Sequence, residues 1–249
     1  MTTIWALADL HLAIAVPNKS MEIFGEPWIG YHQKIEENWK KKVSPDDLVL
    51  LPGDISWSMR SDDAKIDLNW IHQLPGTKVM IRGNHDYWWT SLRQLYAIMP
   101  PSIHLIQNSA FPWKGFVIGG ARLWDTDEYN FDPYVRYVEN PTARKIVEKG
   151  EEPDSEKIFA RELMRLEMSL KEMVKFPGKR IVMTHYPPIG AELHSSAAGK
   201  LLEKYNVSTC VFGHVHNIPS TTRIFGEKNG VTYHLVAGDY LNFDPLAIA

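Results

Sequence analysis

Five short apolar stretches of this chain each run into a turn that carries a carboxylate, an imidazole or a side-chain amide. Trp5–Ala8 leads into Asp9-Leu10-His11, Leu48–Leu51 into Gly53-Asp54, and Lys78–Ile81, through Arg82, into Gly83-Asn84-His85-Asp86. Ile181–Met183 leads into Thr184-His185, and Thr209–Phe212 into Gly213-His214-Val215-His216. Stretches of this length, rich in β-branched residues and closed by Gly, Pro or polar residues, read as strands. Open α/β sheets bind ligands just outside the carboxyl ends of their strands, so parallel pairing would bring all five turns to one edge.

Two further runs, Phe116–Ile118 and Thr232–Val236, have the same strand character. Helical stretches lie between. Tyr31–Lys42 is one; Asp62–Gln73, with Ser61 as its expected cap and Pro75-Gly76 beyond, is another. Ser155–Lys175 repeats Phe159, Leu163, Leu166, Leu170 and Met173 at helical spacing and stops at Pro177-Gly178. This alternation predicts an α/β fold with a largely buried sheet, and the strands around 116–124 and 224–236 predict a second sheet. Asp125–Glu156, rich in Asp, Glu, Tyr and Pro, reads as a long loop or lid inserted in a single domain spanning residues 1–249.

Composition narrows the partners. A net charge of −3 excludes a broad basic surface for nucleic acid. The one cysteine, Cys210, excludes an intrachain disulfide framework. No apolar run approaches the ~20 residues of a membrane span, and the first residues lack the basic segment of a signal peptide. The expectation is a cytoplasmic protein acting on a small substrate.

In an extended Asp9-Leu10-His11 the carboxylate and imidazole would share one side, as would His214 and His216. Glycine at 53, 83 and 213 permits tight turns and close backbone approach. Carboxylate, imidazole and amide oxygen together suit Mn, Fe, Zn or Co better than calcium. Seven candidate ligands exceed what one ion needs, so two divalent metal ions are expected.

The series D-x-H, G-D, G-N-H-D, T-H and G-H-x-H, in order over residues 9–216, resembles the calcineurin-like metallophosphoesterases. The resemblance implies a four-layer α/β/β/α sandwich, with two mixed sheets flanked by helices, and a dinuclear metal centre. It implies that Asp9, His11 and His216 hold one metal, that Asn84, His185 and His214 hold the other, and that Asp54 bridges them. His85 would be the general acid, with Asp86 holding and tuning its ring. The expected reaction is in-line attack on phosphorus by a metal-bridging hydroxide, with His85 protonating the departing alkoxide.

The sequence departs from the serine/threonine protein phosphatases. Gly53 opens Gly-Asp-Ile-Ser-Trp-Ser-Met rather than G-D-x-V-D-R-G, and the third motif ends in Asp86 rather than glutamate. A phosphodiesterase is therefore expected, with a phosphomonoesterase as the alternative and a non-catalytic scaffold ranked below both. Arg60, Arg82 and Arg122 are candidate phosphate clamps. Tyr129, Phe131, Tyr134 and Tyr137 are candidate substrate contacts, whereas Trp57, Tyr87, Trp88 and Trp89 read as packing. His32, His72, His104 and His234 read as structural or surface residues, Cys210 as core, and His194 as a loop residue that could border the site.

Overall fold

The computed structural model describes residues 2–138 and 154–249, so the middle of the lid-like stretch, residues 139–153, lies outside the described residues. The strands are β1 (Ile4–Ala6), β2 (Leu48–Leu51), β3 (Thr77–Met80), β4 (Ile103–Leu105), β5 (Ala110–Trp113), β6 (Phe116–Ala121), β7 (Lys179–Thr184), β8 (Val207–Phe212), β9 (Gly226–Lys228), β10 (Val231–Leu235) and β11 (Leu246–Ala247). The helices are α1 (Tyr31–Lys42), α2 (Ser61–Gln73), α3 (Leu92–Ile98), α4 (Ser155–Met173) and α5 (Ala197–Lys204). One sheet has the order β11-β1-β2-β3-β4 and the other β5-β6-β7-β8-β10-β9. β1 to β4 run parallel, as do β6, β7, β8 and β10, while β11, β5 and β9 add antiparallel edges.

Side-chain alternation along the strands builds the layers. Leu48 and Leu50 point inward, where they meet Ile118, Ile181, Met183 and Val211 of the opposite sheet. Val49 and Leu51 point outward onto Ile35, Trp39, Leu68 and Ile71 of α1 and α2. On the far side Val182, Cys210 and Phe212 cluster with Leu166, Leu170 and Met173 of α4 and with Ala198 and Leu202 of α5. The result is the expected α/β/β/α sandwich of two mixed sheets. Apolar residues on both faces of the parallel strands explain why they read as unbroken runs.

Helix details depart from the sequence reading. Ser61 is the first residue of α2 rather than its cap, and Arg60 at the cap position makes no capping bond. Asp62 and Asp63 in the first turn supply the negative charge that a helix start favours. In α4 the Asp154 carboxylate accepts the Lys157 N–H at 3.1 Å, and the helix ends at Met173 rather than Lys175. Its buried face includes Glu162 and Ser169, while Phe159 and Leu163 are half-buried. Ser169 tolerates burial because its hydroxyl accepts the Gly120 N–H at 2.8 Å and donates to the Ser109 carbonyl at 2.6 Å. Among the described residues no helix is long and apolar enough to cross a membrane.

Candidate metal centre

β1, β2, β3, β7 and β8 end at the same edge of the sandwich, and just past β1 the two sheets are stitched together. Ala8 N–H donates to the Val236 carbonyl at 2.8 Å, in a parallel bridge of Ala8 with Ala237. The chain then departs from extended geometry. Asp9 (φ 56°), His11 (φ 43°), Asp54 (φ 52°) and His214 (φ 72°) all adopt left-handed backbone. The expected extended D-x-H alternation is therefore not how Asp9 and His11 converge. Left-handed L-residues cost about 1–2 kcal/mol each. Backbone bonds hold them there: Asp9 N–H to Gly53 O at 3.1 Å, His11 N–H to Asp54 O at 2.9 Å, and Gly213 N–H to His185 O at 3.1 Å. Such strain concentrates where a function requires it.

Two glycines explain themselves by contact. A Cβ on Gly83 would lie 2.0 Å from Asp54 Oδ1, and one on Gly213 would lie 2.2 Å from Asp9 Oδ2. Each acidic side chain sits in a space that any other residue would fill.

Seven ligand candidates converge. His11 Nε2 lies 3.3 Å from His216 Nε2 and 3.7 Å from Asp54 Oδ2. That same Asp54 oxygen lies 3.4 Å from His185 Nε2, so it stands between two groups of imidazoles. Asn84 Oδ1 faces His185 Nε2 at 2.6 Å and His214 Nδ1 at 3.1 Å. Asp9 accepts the His214 N–H on both oxygens, at 3.2 and 3.0 Å. Asp9, His11 and His216 can place one ligand atom each within 4.8 Å of one another, as can Asp9, Asp54 and His185.

The donor set fits divalent cations. His185 Nδ1 faces the Pro52 carbonyl at 3.0 Å and His216 Nδ1 faces Asp239 Oδ1 at 2.8 Å, which directs Nε2 of both rings into the clusters. Nitrogens and oxygens with lone pairs then face one another, and a proton or a metal ion must sit among them. Burial raises Asp9 to about 7 even against the pull of His216 and His185. Burial drives His11 down to about 3 although Asp54 opposes it. Burial pulls His216 down, but the Asp239 carboxylate overrides it and the ring rises to about 9. Burial would raise Asp54, yet His185 holds it well below the usual carboxylate range. Carboxylate partners thus favour the protonated rings of His216 and His185 only, and a metal ion on either ring would take the place of that proton.

The expected pairing of the Asp86 carboxylate with the His85 ring is not what the structure shows. The Asp86 carboxylate does not hold the His85 ring, whose Nδ1 is buried without a partner among the described residues. Oδ1 of Asp86 accepts the N–H groups of Ile55 at 2.9 Å and Ser56 at 3.2 Å and the Trp88 indole at 3.0 Å; Oδ2 accepts Gly83 N–H at 2.8 Å. Asp86 therefore locks the loop after β2 to the loop after β3. The His85 ring sits against Trp57, centroids 4.5 Å apart, and its backbone N–H donates to Asp54 Oδ1 at 2.8 Å.

Two neighbours escaped the sequence reading. The Asp239 side chain is only 3% exposed, and a lone Asp after a strand carries no pattern to single it out. Trp28 packs edge-on against both His11 and His216, at 5.7 and 5.6 Å. Trp57 lies parallel to the His11 ring at 5.1 Å, so it borders the ligands as well as the core. Trp88 and Trp89 are buried packing residues, as expected.

A cavity of about 620 Å³ opens beside His214 and His216, walled by Trp124, Tyr129, Phe131 and Tyr186. Tyr129 and Phe131 thus reach the site. Tyr134 instead donates to Glu192 at 2.9 Å, and Tyr137 is 89% exposed. His194 is 76% exposed beside Glu192, away from the ligands. Arg82 and Arg122 line a separate cleft. Arg60 is exposed at the start of α2.

Known proteins resemble this arrangement. The family model for calcineurin-like phosphoesterases matches residues 2–218. The "Gene 66 protein" of Mycobacterium phage D29 is 33% identical over 89 residues, which is 34% of this chain and 41% of that protein. The chain thus spans less than half the length of that relative. Among solved structures, phosphopantetheinyl hydrolase from Mycobacterium tuberculosis superposes with a TM-score of 0.51 at 16% identity, covering 95% of this chain and 89% of that one. An Aquifex aeolicus protein of unknown function gives a TM-score of 0.46 at 14% identity, covering 99% and 96%. Fold, motif order and family match agree: the chain belongs to the calcineurin-like phosphoesterase family.

Proposed function

We propose that this phosphoesterase is a phosphodiesterase acting on a small substrate within one catalytic domain. The supporting observation is the lining of the cavity beside His214 and His216. Four aromatic rings, Trp124, Tyr129, Phe131 and Tyr186, stand there with Asp125 and Asp132, and among the described residues its wall contains no lysine or arginine. A monoester dianion favours cationic walls, whereas a diester carries one charge and a second organic group that aromatic faces can hold.

In this reading Asp9, His11 and His216 hold one ion, Asn84, His185 and His214 the other, and Asp54 serves both. Mn, Fe, Zn or Co suit these nitrogen and oxygen ligands. When bound, the pair would supply polarisation of the phosphoryl oxygens and activation of water. His85 is positioned by the Asn84 and Asp54 contacts to either side of it, and its imidazole delivers a proton to the departing oxygen. Burial lowers its pKa, with Asp54 opposing, which favours release of that proton.

The test compares bis-p-nitrophenyl phosphate with p-nitrophenyl phosphate after chelation and reloading with each metal, using Asp54→Ala as control. Faster diester cleavage is expected. A monoester preference would overturn the phosphodiesterase reading and leave the family assignment intact.

A further inference from the structure

A second cleft lies along the same edge of the sandwich, one strand over from the ligands. Its walls come from the residues that follow β3, β4 and β6, whereas the ligand turns follow β1, β2, β3, β7 and β8. It holds about 260 Å³, below the usual range for a drug-sized ligand and ample for a small oxyanion. None of the seven ligand candidates lines it, nor does His85.

The charge in this cleft is unbalanced. Among the described residues, Arg82, Arg122 and Arg165 line it with a single carboxylate, Glu162. That carboxylate is already shared. Its Oε1 takes Arg165 Nη1 at 2.7 Å, Arg122 Nη2 at 3.3 Å and Arg161 Nη2 at 3.5 Å. Arg122 is held firmly, with only 12% of its side chain exposed and its guanidinium 4.5 Å from the centre of the Trp124 ring. Arg82 has no such partner: its Nε is buried and makes no hydrogen bond among the described residues. The two guanidinium groups feel each other, since the Arg82 charge adds to the burial that lowers Arg122 while Glu162 opposes both. Buried cationic donors left unsatisfied carry a desolvation cost that a bound anion would remove.

We infer that this arginine cleft is a binding site for a phosphate group separate from the metal centre, with Arg82 and Arg122 as its principal donors. Guanidinium forks match the oxygens of a phosphoryl group in two-point contacts, and Trp89 and Gln107, joined by an indole N–H bond at 2.8 Å, form a rigid wall opposite. The cleft communicates with the metal edge through the backbone. Arg82 stands two residues before Asn84, and the Arg122 carbonyl accepts the N–H groups of His185 at 3.1 Å and Tyr186 at 2.9 Å. The inference stands whatever ester the metal centre cleaves.

The test titrates inorganic phosphate into the full, chelator-treated protein by calorimetry, with chloride at equal ionic strength as baseline. Wild type is expected to bind saturably. Arg82→Gln should weaken binding about tenfold or more, as loss of a charged hydrogen-bond donor does. Arg165→Gln, at a half-exposed side chain away from the ligands, should weaken it in the same direction. Glu162→Gln should tighten binding several-fold, because it removes the competing anion. A structural arginine network would give no such gain. Absence of saturable binding, or affinity indifferent to all three substitutions, would overturn the site.

A kinetic arm with metal-loaded protein identifies where the phosphate resides. It compares the p-nitrophenyl ester of thymidine 5′-phosphate with and without a 3′-phosphate. A lower KM for the 3′-phosphorylated ester, lost in Arg165→Gln, supports the site as a reader of a second phosphate on the substrate. Equal KM values with phosphate binding retained support it as a site for a separate phosphate ligand.

Discussion

Asp239 Oδ1 accepts a hydrogen bond from His216 Nδ1 at 2.8 Å, while its other oxygen accepts the Asn217 N–H at 2.8 Å. This pair fixes the His216 ring so that Nε2 faces His11. Carboxylate partners of ligating histidines orient the ring and raise its basicity, and their loss typically costs 10–100-fold in metal affinity. Asp239→Ala is therefore expected to lower metal affinity by about that factor while the fold persists. Metal content after dialysis against graded chelator, with circular dichroism alongside, measures both. Undiminished affinity would show that His216 is oriented by Trp28 and its backbone alone.

The α/β class and the ligand edge were legible because they rest on local, repeated signals: apolar strands, then Gly, Asp, Asn and His at the turn. The contacts of those side chains were not. Asp86 follows His85 directly, which suggested a pair, but neighbours in a tight turn point apart and the carboxylate finds amides of the 55–56 loop instead. Glu162 broke the apolar reading of α4 because its burial depends in part on Arg122, 40 residues away in sequence. Asp239 was silent because its partner is 23 residues away.

The corrected role of Asp86 gives a prediction of its own. Asp86→Asn would turn amide protons toward at least one backbone N–H that now meets an oxygen, and would loosen the junction between the loops that carry Asp54 and Asn84. An unfolding cost of about 2–3 kcal/mol is expected from losing charged acceptors for buried amides. Chemical denaturation measures it. If Asp86 tuned His85 instead, stability would hold and the acidic limb of the pH–rate profile would move.

His85→Ala tests proton delivery without disturbing the ligands, because Asp54 is held by the His85 backbone N–H rather than by its ring. Metal content should stay at the wild-type level. Turnover should fall by ~10²–10⁴ for alkyl esters, whose leaving oxygen needs a proton, and far less for p-nitrophenyl esters. Equal losses on both substrates would remove His85 from that role.

Gly213→Ala places a methyl group where Asp9 Oδ2 now sits, 2.2 Å from the new carbon. Asp9 must move, and with it the two bonds that it accepts from His214 N–H. Loss of metal from the Asp9, His11 and His216 group is expected, with a fall in melting temperature. Elemental analysis that found full metal occupancy would show that the Asp9 position is not needed for binding.

Away from the metal edge, Lys78 gives a pH signature. Its side chain is fully buried in β3 and its ammonium donates to the Leu74 carbonyl at the end of α2. Burial lowers its pKa from 10.5 to about 8. Between those values the unfolded chain binds the proton and the folded chain does not, so stability contributed at this residue rises with pH across that window. Below about 8 both states carry the charge and the folded state bears the full cost of burying it. Lys78→Met keeps the unbranched apolar stem and removes the charge. The variant should gain stability relative to wild type at pH 7, and the difference should shrink steadily as pH rises from 8 toward 10.5. Urea unfolding of both proteins across that range reads the difference directly, and a gap independent of pH would mean that the Leu74 carbonyl keeps the ammonium charged in the core.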